Sequence, residues 1–255
     1  MTAQADLDHM IRPLGLAAIE AAQVRAGERV LDIGCGCGDT TLALALRVAP
    51  GGTVTGMDVS EPMIARARAR APDLAFQVAD ASTATAPEVD VLYSRFGVMF
   101  FADPVAAFAH LRRALAPSGR LAFVCWRELA ANLWASLPLQ AANRVLGPGD
   151  PTPPGEPGPF AFADRRKLLG TLESAGFSSI DIRPLDLAVP CCEAGDDETL
   201  RAAFARIGPA ARRLAEAPPD LRERAIGEIV AEMRTRVGPN GVALPAACWI
   251  VTARR

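Results

Sequence analysis

The chain has 255 residues, half of them apolar and 22% charged, and its 27 basic and 29 acidic side chains leave a net charge of −2. That is the make-up of a globular protein with a sizeable core, and the missing basic excess argues against nucleic acid as a partner. Six cysteines without a CxxC pair and two histidines suggest neither a disulfide framework nor a metal site, and the chain shows neither a secretory signal nor an apolar run of roughly 20 residues, so a cytoplasmic protein without membrane insertion is expected.

In chain order, an amphipathic helix is predicted near 12–24. Strands are then predicted near 29–33, 53–58, 74–79, 89–94 and 121–126, alternating with helices near 40–49, 62–71 and 104–115. Ser60 followed by Pro62, and Asp103 ahead of Pro104, mark two of the helix starts. This is the pattern of repeated βαβ units around a parallel sheet. After Trp126 the alternation stops. The stretch from Gly147 to Pro159 holds ten Gly or Pro in thirteen residues and reads as a loop. Beyond it come a helix near 164–175 stopped by Gly176, a short strand near 179–182, helices near 197–207 and 219–237, and a last apolar strand near 246–253.

The segment richest in chemistry is Val30-Leu31-Asp32-Ile33-Gly34-Cys35-Gly36-Cys37-Gly38-Asp39, a strand that enters a glycine loop and then a helix. Glycines there allow a sharp turn and let a ligand lie on bare backbone. Dinucleotide enzymes use such a loop too, but their third glycine would fall on Asp39, and a pyrophosphate would meet the carboxylates of Asp32 and Asp39. A cationic ligand suits the loop better. Two more acids close the next strands: Asp58 in Gly56-Met57-Asp58-Val59, where a carboxylate can accept from two ribose hydroxyls, and Asp80 in Val78-Ala79-Asp80-Ala81. Three acids at three successive strand ends face one edge of the sheet.

The glycine segment resembles the first motif of class I S-adenosylmethionine-dependent methyltransferases, and residues 29–126 resemble their ubiquinone-biosynthesis-like small-molecule subgroup. The stretches Tyr93-Ser94-Arg95-Phe96-Gly97 and Leu111 to Leu121 also fit that pattern. The resemblance implies a Rossmann-like α/β fold with a seven-stranded, mostly parallel sheet, helices on both faces and helical cover insertions. It implies one domain over 1–255, with amino-terminal lid helices at 1–28, a cofactor-binding core at 29–126 and covers at 127–163 and 197–237. S-adenosylmethionine is the implied cofactor and S-adenosylhomocysteine the product. Asp32 would help hold the methionine end, and Gly34, Cys35, Gly36 and Gly38 would pass under the ligand. Asp58 and Val59 would meet the ribose, Met63 would pack near the adenine, Asp80 and Ala81 would bond its edge, and Ser94 and Phe96 would lie near the methionine portion.

Methyl transfer is an in-line displacement in which alignment and desolvation supply much of the rate, so no residue is assigned as a catalytic base. His9 in the lid segment, with Met99, Trp126 and Trp134, are the candidates for contact with a small-molecule acceptor. His110 and Tyr93 read as structural. The same loop would serve a protein that binds S-adenosylmethionine without transferring its methyl group, and a nicotinamide oxidoreductase is the remaining alternative.

Overall fold

A computed structural model describes residues 3–149 and 156–255; the middle of the Gly147–Pro159 loop therefore lies outside the described residues. The strands are β1 (Arg29–Ile33), β2 (Thr53–Asp58), β3 (Ala75–Val78), β4 (Val89–Arg95), β5 (Leu115–Trp126), β6 (Ser178–Cys192) and β7 (Val242–Arg254). They form one sheet in the order β3-β2-β1-β4-β5-β7-β6. The first five pair in parallel, and β7 runs antiparallel to β5 from Arg120↔Arg254 to Trp126↔Cys248. Central strands β1 and β4 are buried along nearly their whole length, as a strand covered on both faces requires.

The helices are α1 (Ala3–Ala22), α2 (Asp39–Val48), α3 (Glu61–Arg70), α4 (Pro104–Ala114), α5 (Leu133–Leu146), α6 (Arg165–Ser174), α7 (Asp197–Phe204), α8 (Gly208–Glu216) and α9 (Pro219–Arg234). Asp103 caps α4 by accepting from the Ala106 N–H at 2.9 Å. Ser60 opens α3 without a side-chain cap; its own N–H is donated to the Asp58 carboxylate.

Three features differ from the sequence reading. Helix α5 carries Pro138 inside it, which argues against a helix in the sequence, and the side chain of its N-cap residue Asn132 is engaged elsewhere. Helix α8 begins at Gly208-Pro209, which reads as a turn but places proline in the first helical turn, where it is tolerated. Strand β6 runs for 15 residues instead of four. Pro184 and Pro190 interrupt its β pattern, and its place at the end of the strand order accommodates them.

The chain groups into two compact units. The larger comprises 14–127, 155–185 and 248–255 and contains β1 to β5 with α2, α3, α4 and α6. Its core includes Phe108, Phe123 and Phe162, all fully buried. The smaller comprises 1–13, 128–154 and 186–247. There α5 packs on α8 and α9, and α7 on α9, with Ile229 and Met233 fully buried and Arg144 of α5 paired to Glu228 and Glu232 of α9.

Candidate active site

Because β1 to β4 are parallel neighbours, their carboxyl ends lie along one edge, and in an open α/β sheet that edge is where ligands bind. Asp32, one residue before the end of β1, is fully buried. Its Oδ2 accepts from the hydroxyls of Thr40 and Thr41 in the first turn of α2, each at 2.7 Å. Its Oδ1 is buried without a hydrogen-bond partner among the described residues. Burial pushes the carboxyl up to about 6, against the pull of the two threonine bonds and the nearby Arg95. An orphaned buried carboxylate oxygen is costly, and it marks a place where a donor or cation is expected.

The loop beyond β1 doubles back on β2. The amides of Gly34 and Cys35 both donate to the Met57 carbonyl, at 2.8 and 3.1 Å. At Gly34 the backbone has φ +67°, and a Cβ would stand 2.6 Å from the Gly97 Cα, so two glycines cross there in contact. Gly36 is different: with φ +54°, a Cβ would meet only the Met63 sulfur at 3.8 Å. The space over Gly36 is open, and a ligand could use it. Gly38 packs against Phe76 and Ala67, the close helix packing that a dinucleotide loop assigns to its third glycine. Asp39 is ion-paired with Arg95 at 3.0 Å, so its repulsion of a phosphate is smaller than the sequence alone suggests.

Asp58, ending β2, accepts from the Gly36 amide through Oδ2 and from the Ser60 amide through Oδ1, both at 2.9 Å. Each oxygen keeps a second lone pair for a ligand hydroxyl. Val59 beside it is 69% exposed, an apolar surface next to the loop's acid. Asp80 accepts from the Ser82 amide at 2.8 Å, and bonds from the Ser82 hydroxyl and amide hold its carboxyl below the usual range. Asp80 is exposed and its neighbour Ala81 is buried.

On the other side of β1, the Ser94 hydroxyl donates to the Ile33 carbonyl at 2.7 Å and accepts from the Gly97 amide at 3.1 Å. It locks the glycine crossing. Phe96 has φ +61°, uncommon for an aromatic residue, and its ring stacks on Trp126 at 4.1 Å. Met99 is buried at the end of this turn, where its carbonyl accepts from Gly158. The Cys35 thiol is raised well above its ordinary range by burial and by Asp32 and Asp58, which leaves it a protonated packing group. Burial likewise raises Tyr93, whose hydroxyl donates to the Gly15 carbonyl at 2.8 Å. His110 bonds the Ala84 carbonyl.

His9 and Trp134 belong to the smaller unit. His9 is exposed, its Nε2 3.7 Å from Glu193. Trp134 is buried and donates its indole N–H to Asn132 Oδ1 at 3.2 Å. Asn132 also binds both backbone groups of Ala247, accepting at 2.9 Å and donating at 3.1 Å. The Trp134 ring lies against Gly208 and lines an apolar recess with Met10, Cys191, Ala203, Phe204 and Ile207. Sequence reasoning assigned no individual role to Thr40, Thr41, Arg95, Gly97 and Asn132. Only Arg95 carried a signal: a charged side chain directly after the apolar run Val91-Leu92-Tyr93 and Ser94.

Residues 30–119 match the family model described as "Methyltransferase domain". That match, with the strand order and the glycine loop, likens this part of the chain to class I methyltransferase domains. Aklanonic acid methyltransferase of Streptomyces sp. (strain C5) is 35% identical over 118 residues, 44% of this chain and 54% of that protein. Demethylmenaquinone methyltransferase of Thermus thermophilus is 41% identical over 110 residues, 41% of this chain and 50% of its own length. The chain thus spans about half the length of these curated relatives. Two solved structures show the fold over 95% of the chain. One is phosphoethanolamine N-methyltransferase 2 of Haemonchus contortus in complex with S-adenosyl-L-methionine, with a TM-score of 0.57, 19% identity and 52% of that chain covered. The other is the [4+2]-cyclase SpnF, with a TM-score of 0.55, 22% identity and 80% of that chain covered.

Proposed function

We propose that the protein is an S-adenosylmethionine-dependent methyltransferase acting on a small organic acceptor, in the cytoplasm. The observation that carries the reading is the edge formed by β1 and β2. It offers an orphaned buried Asp32 oxygen where the ligand's cationic end would bind, open space over Gly36, and an Asp58 carboxylate already oriented by two backbone amides. A ligand with a positive charge, a ribose and no phosphate fits these groups. Val59, Met63, Asp80 and Ala81 supply the side on which an adenine would rest. The cofactor, when bound, supplies an electrophilic methyl group. The chain's part is to hold the partners in line and exclude water, through Ser94 and Gly97 fixing the loop and the Phe96–Trp126 stack walling it.

Relatives named for aklanonic acid, demethylmenaquinone and trans-aconitate support a small organic acceptor over a macromolecule. Trp134 is our candidate for acceptor contact in the smaller unit. The cyclase likeness sustains a second reading, in which the cofactor is bound without methyl transfer. Incubation with methyl-labelled S-adenosylmethionine and small-molecule extract separates the two. Label in an organic product with stoichiometric S-adenosylhomocysteine supports transferase activity; tight cofactor binding with no label transferred across such extracts supports the second.

A further inference from the structure

Three glycines in five residues leave the loop 34–38 with more backbone freedom than other residues would, so its shape has to be held from outside. Its first half is held by the strand beside it, through the Met57 carbonyl on Gly34 and Cys35 and the Asp58 carboxylate on Gly36. In its second half the Gly38 amide donates to the Cys35 carbonyl at 3.0 Å, and side-chain restraint comes from arginines. Arg70, the last residue of α3, donates from Nη1 to the Cys37 carbonyl at 2.8 Å, and its Nη2 stands 3.9 Å from Asp39 Oδ1. The other Asp39 oxygen accepts from Arg95 at 3.0 Å. The Arg95 side chain is only 7% exposed and runs beneath Gly15, where a Cβ would come within 2.7 Å of it. Asp39 is therefore clasped between a fixed cation from β4 and a half-exposed one from α3.

We propose that Arg70 is a positioning residue for cofactor binding. It grips the loop at Cys37 and Asp39 and so holds Gly36 and Gly38 in the shape the ligand meets. A planar guanidinium suits this task because one fork reaches a carbonyl and a carboxylate at once. The same helix carries Met63 against Gly36 near its start, so α3 addresses both halves of the loop. Arg68, two residues earlier, provides a contrast on the same element: it donates to the Phe76 carbonyl at 2.8 Å, a bond to β3 and not to the loop.

This inference rests on the cofactor reading of the loop, and its test uses the full chain with S-adenosylhomocysteine as the probe. By calorimetric titration, Arg70→Gln should raise the dissociation constant about five- to tenfold, a charge-assisted bond discounted for exposure. Arg68→Gln should stay within about twofold, and Arg70→Lys should recover part of the loss. Hydrogen exchange without ligand should quicken at the Gly36 and Gly38 amides in Arg70→Gln but not in Arg68→Gln. Unchanged affinity in folded Arg70→Gln, or equal losses in both variants that track their melting temperatures, overturns the positioning role. If Arg70→Gln does not fold, Arg70→Lys is read in its place, with a smaller loss of affinity supporting the role and none overturning it. If the native protein fails to bind the probe, the cofactor reading falls, and the exchange comparison still decides whether Arg70 shapes the loop.

Discussion

The glycine loop and the surroundings of Trp134 are built by opposite means. In the loop, the groups left for a ligand are bare backbone and carboxylates whose remaining bonds go to neighbouring amides and hydroxyls. Around Trp134, one buried side chain, Asn132, fixes both the indole and the passing β7 backbone, and the residues lining the recess are all apolar in type. A backbone cradle depends on a few glycines and acids at set spacing and accepts most changes around them. A side-chain recess changes its shape with each substitution. The family match, residues 30–119, takes in the loop and leaves out both Met10 and Trp134 of the recess.

The largest effect should come from filling the cradle. Gly36→Val meets almost nothing of the protein but takes up the open space and forces a branched residue to φ +54°, a strain of about 1–2 kcal/mol. Binding of S-adenosylhomocysteine should be lost while the melting temperature falls only modestly. A folded variant that binds normally would falsify the placement of the cofactor. Next, Asp58→Ala removes the acceptor for the ribose and releases the Gly36 amide; bonds to a charged group are worth about 1.5–3 kcal/mol, so affinity should fall at least about tenfold. Unchanged affinity in a folded Asp58→Ala protein would take Asp58 out of the site.

A third, intermediate effect concerns pH. The Asp32 carboxyl is raised to about 6 by burial, so between its unfolded value of about 4 and that point the folded state holds a proton the unfolded state has released. Stability from this group is therefore present at low pH and is lost as pH rises through that window. Thr40, Thr41, Arg95 and Asp58 are the groups acting on it. Asp32→Asn lacks the titration. Denaturant unfolding from pH 4 to 7 should show the variant gaining on the native protein, by about 3 kcal/mol at most. A constant difference across that range means Asp32 stays ionised in the fold.

The core of the fold was legible because its signals are local. An apolar strand, a glycine loop, an acid at the next strand end and a proline after Asp103 each state their structure within a few residues, and β1 and β2 have the boundaries expected of them. The three acids could be named for the same reason. The restraints around them could not: Thr41 reaches Asp32 from nine residues away, Arg70 reaches Cys37 across 33, and Arg95 reaches Asp39 across 56. Those partners follow from the packing of α2, α3 and β4. Helix α5 was illegible because Pro138 stands inside it, and the role of Asn132 was hidden because its partner, Ala247, is 115 residues distant.

The smallest expected effect tests the side-chain half of the contrast. Trp134→Phe keeps most of the ring volume against Gly208 and Phe204 but removes the indole N–H that Asn132 Oδ1 accepts at 3.2 Å. Asn132 retains its bonds to Ala247, so the cost to folding should be only about 0.5–1.5 kcal/mol. The ring then loses the contact that sets its orientation in the recess. With an acceptor found by the labelled-methyl screen, the acceptor KM should rise a few-fold, while affinity for S-adenosylhomocysteine stays within about twofold, since Asp32, Gly36 and Asp58 are untouched. Trp134→Ala should raise the same KM further. If neither substitution moves the acceptor KM in a folded protein, the recess at Trp134 is packing and acceptor contact lies elsewhere. If both move cofactor affinity as much as the acceptor KM, the two regions are not the separate devices drawn here.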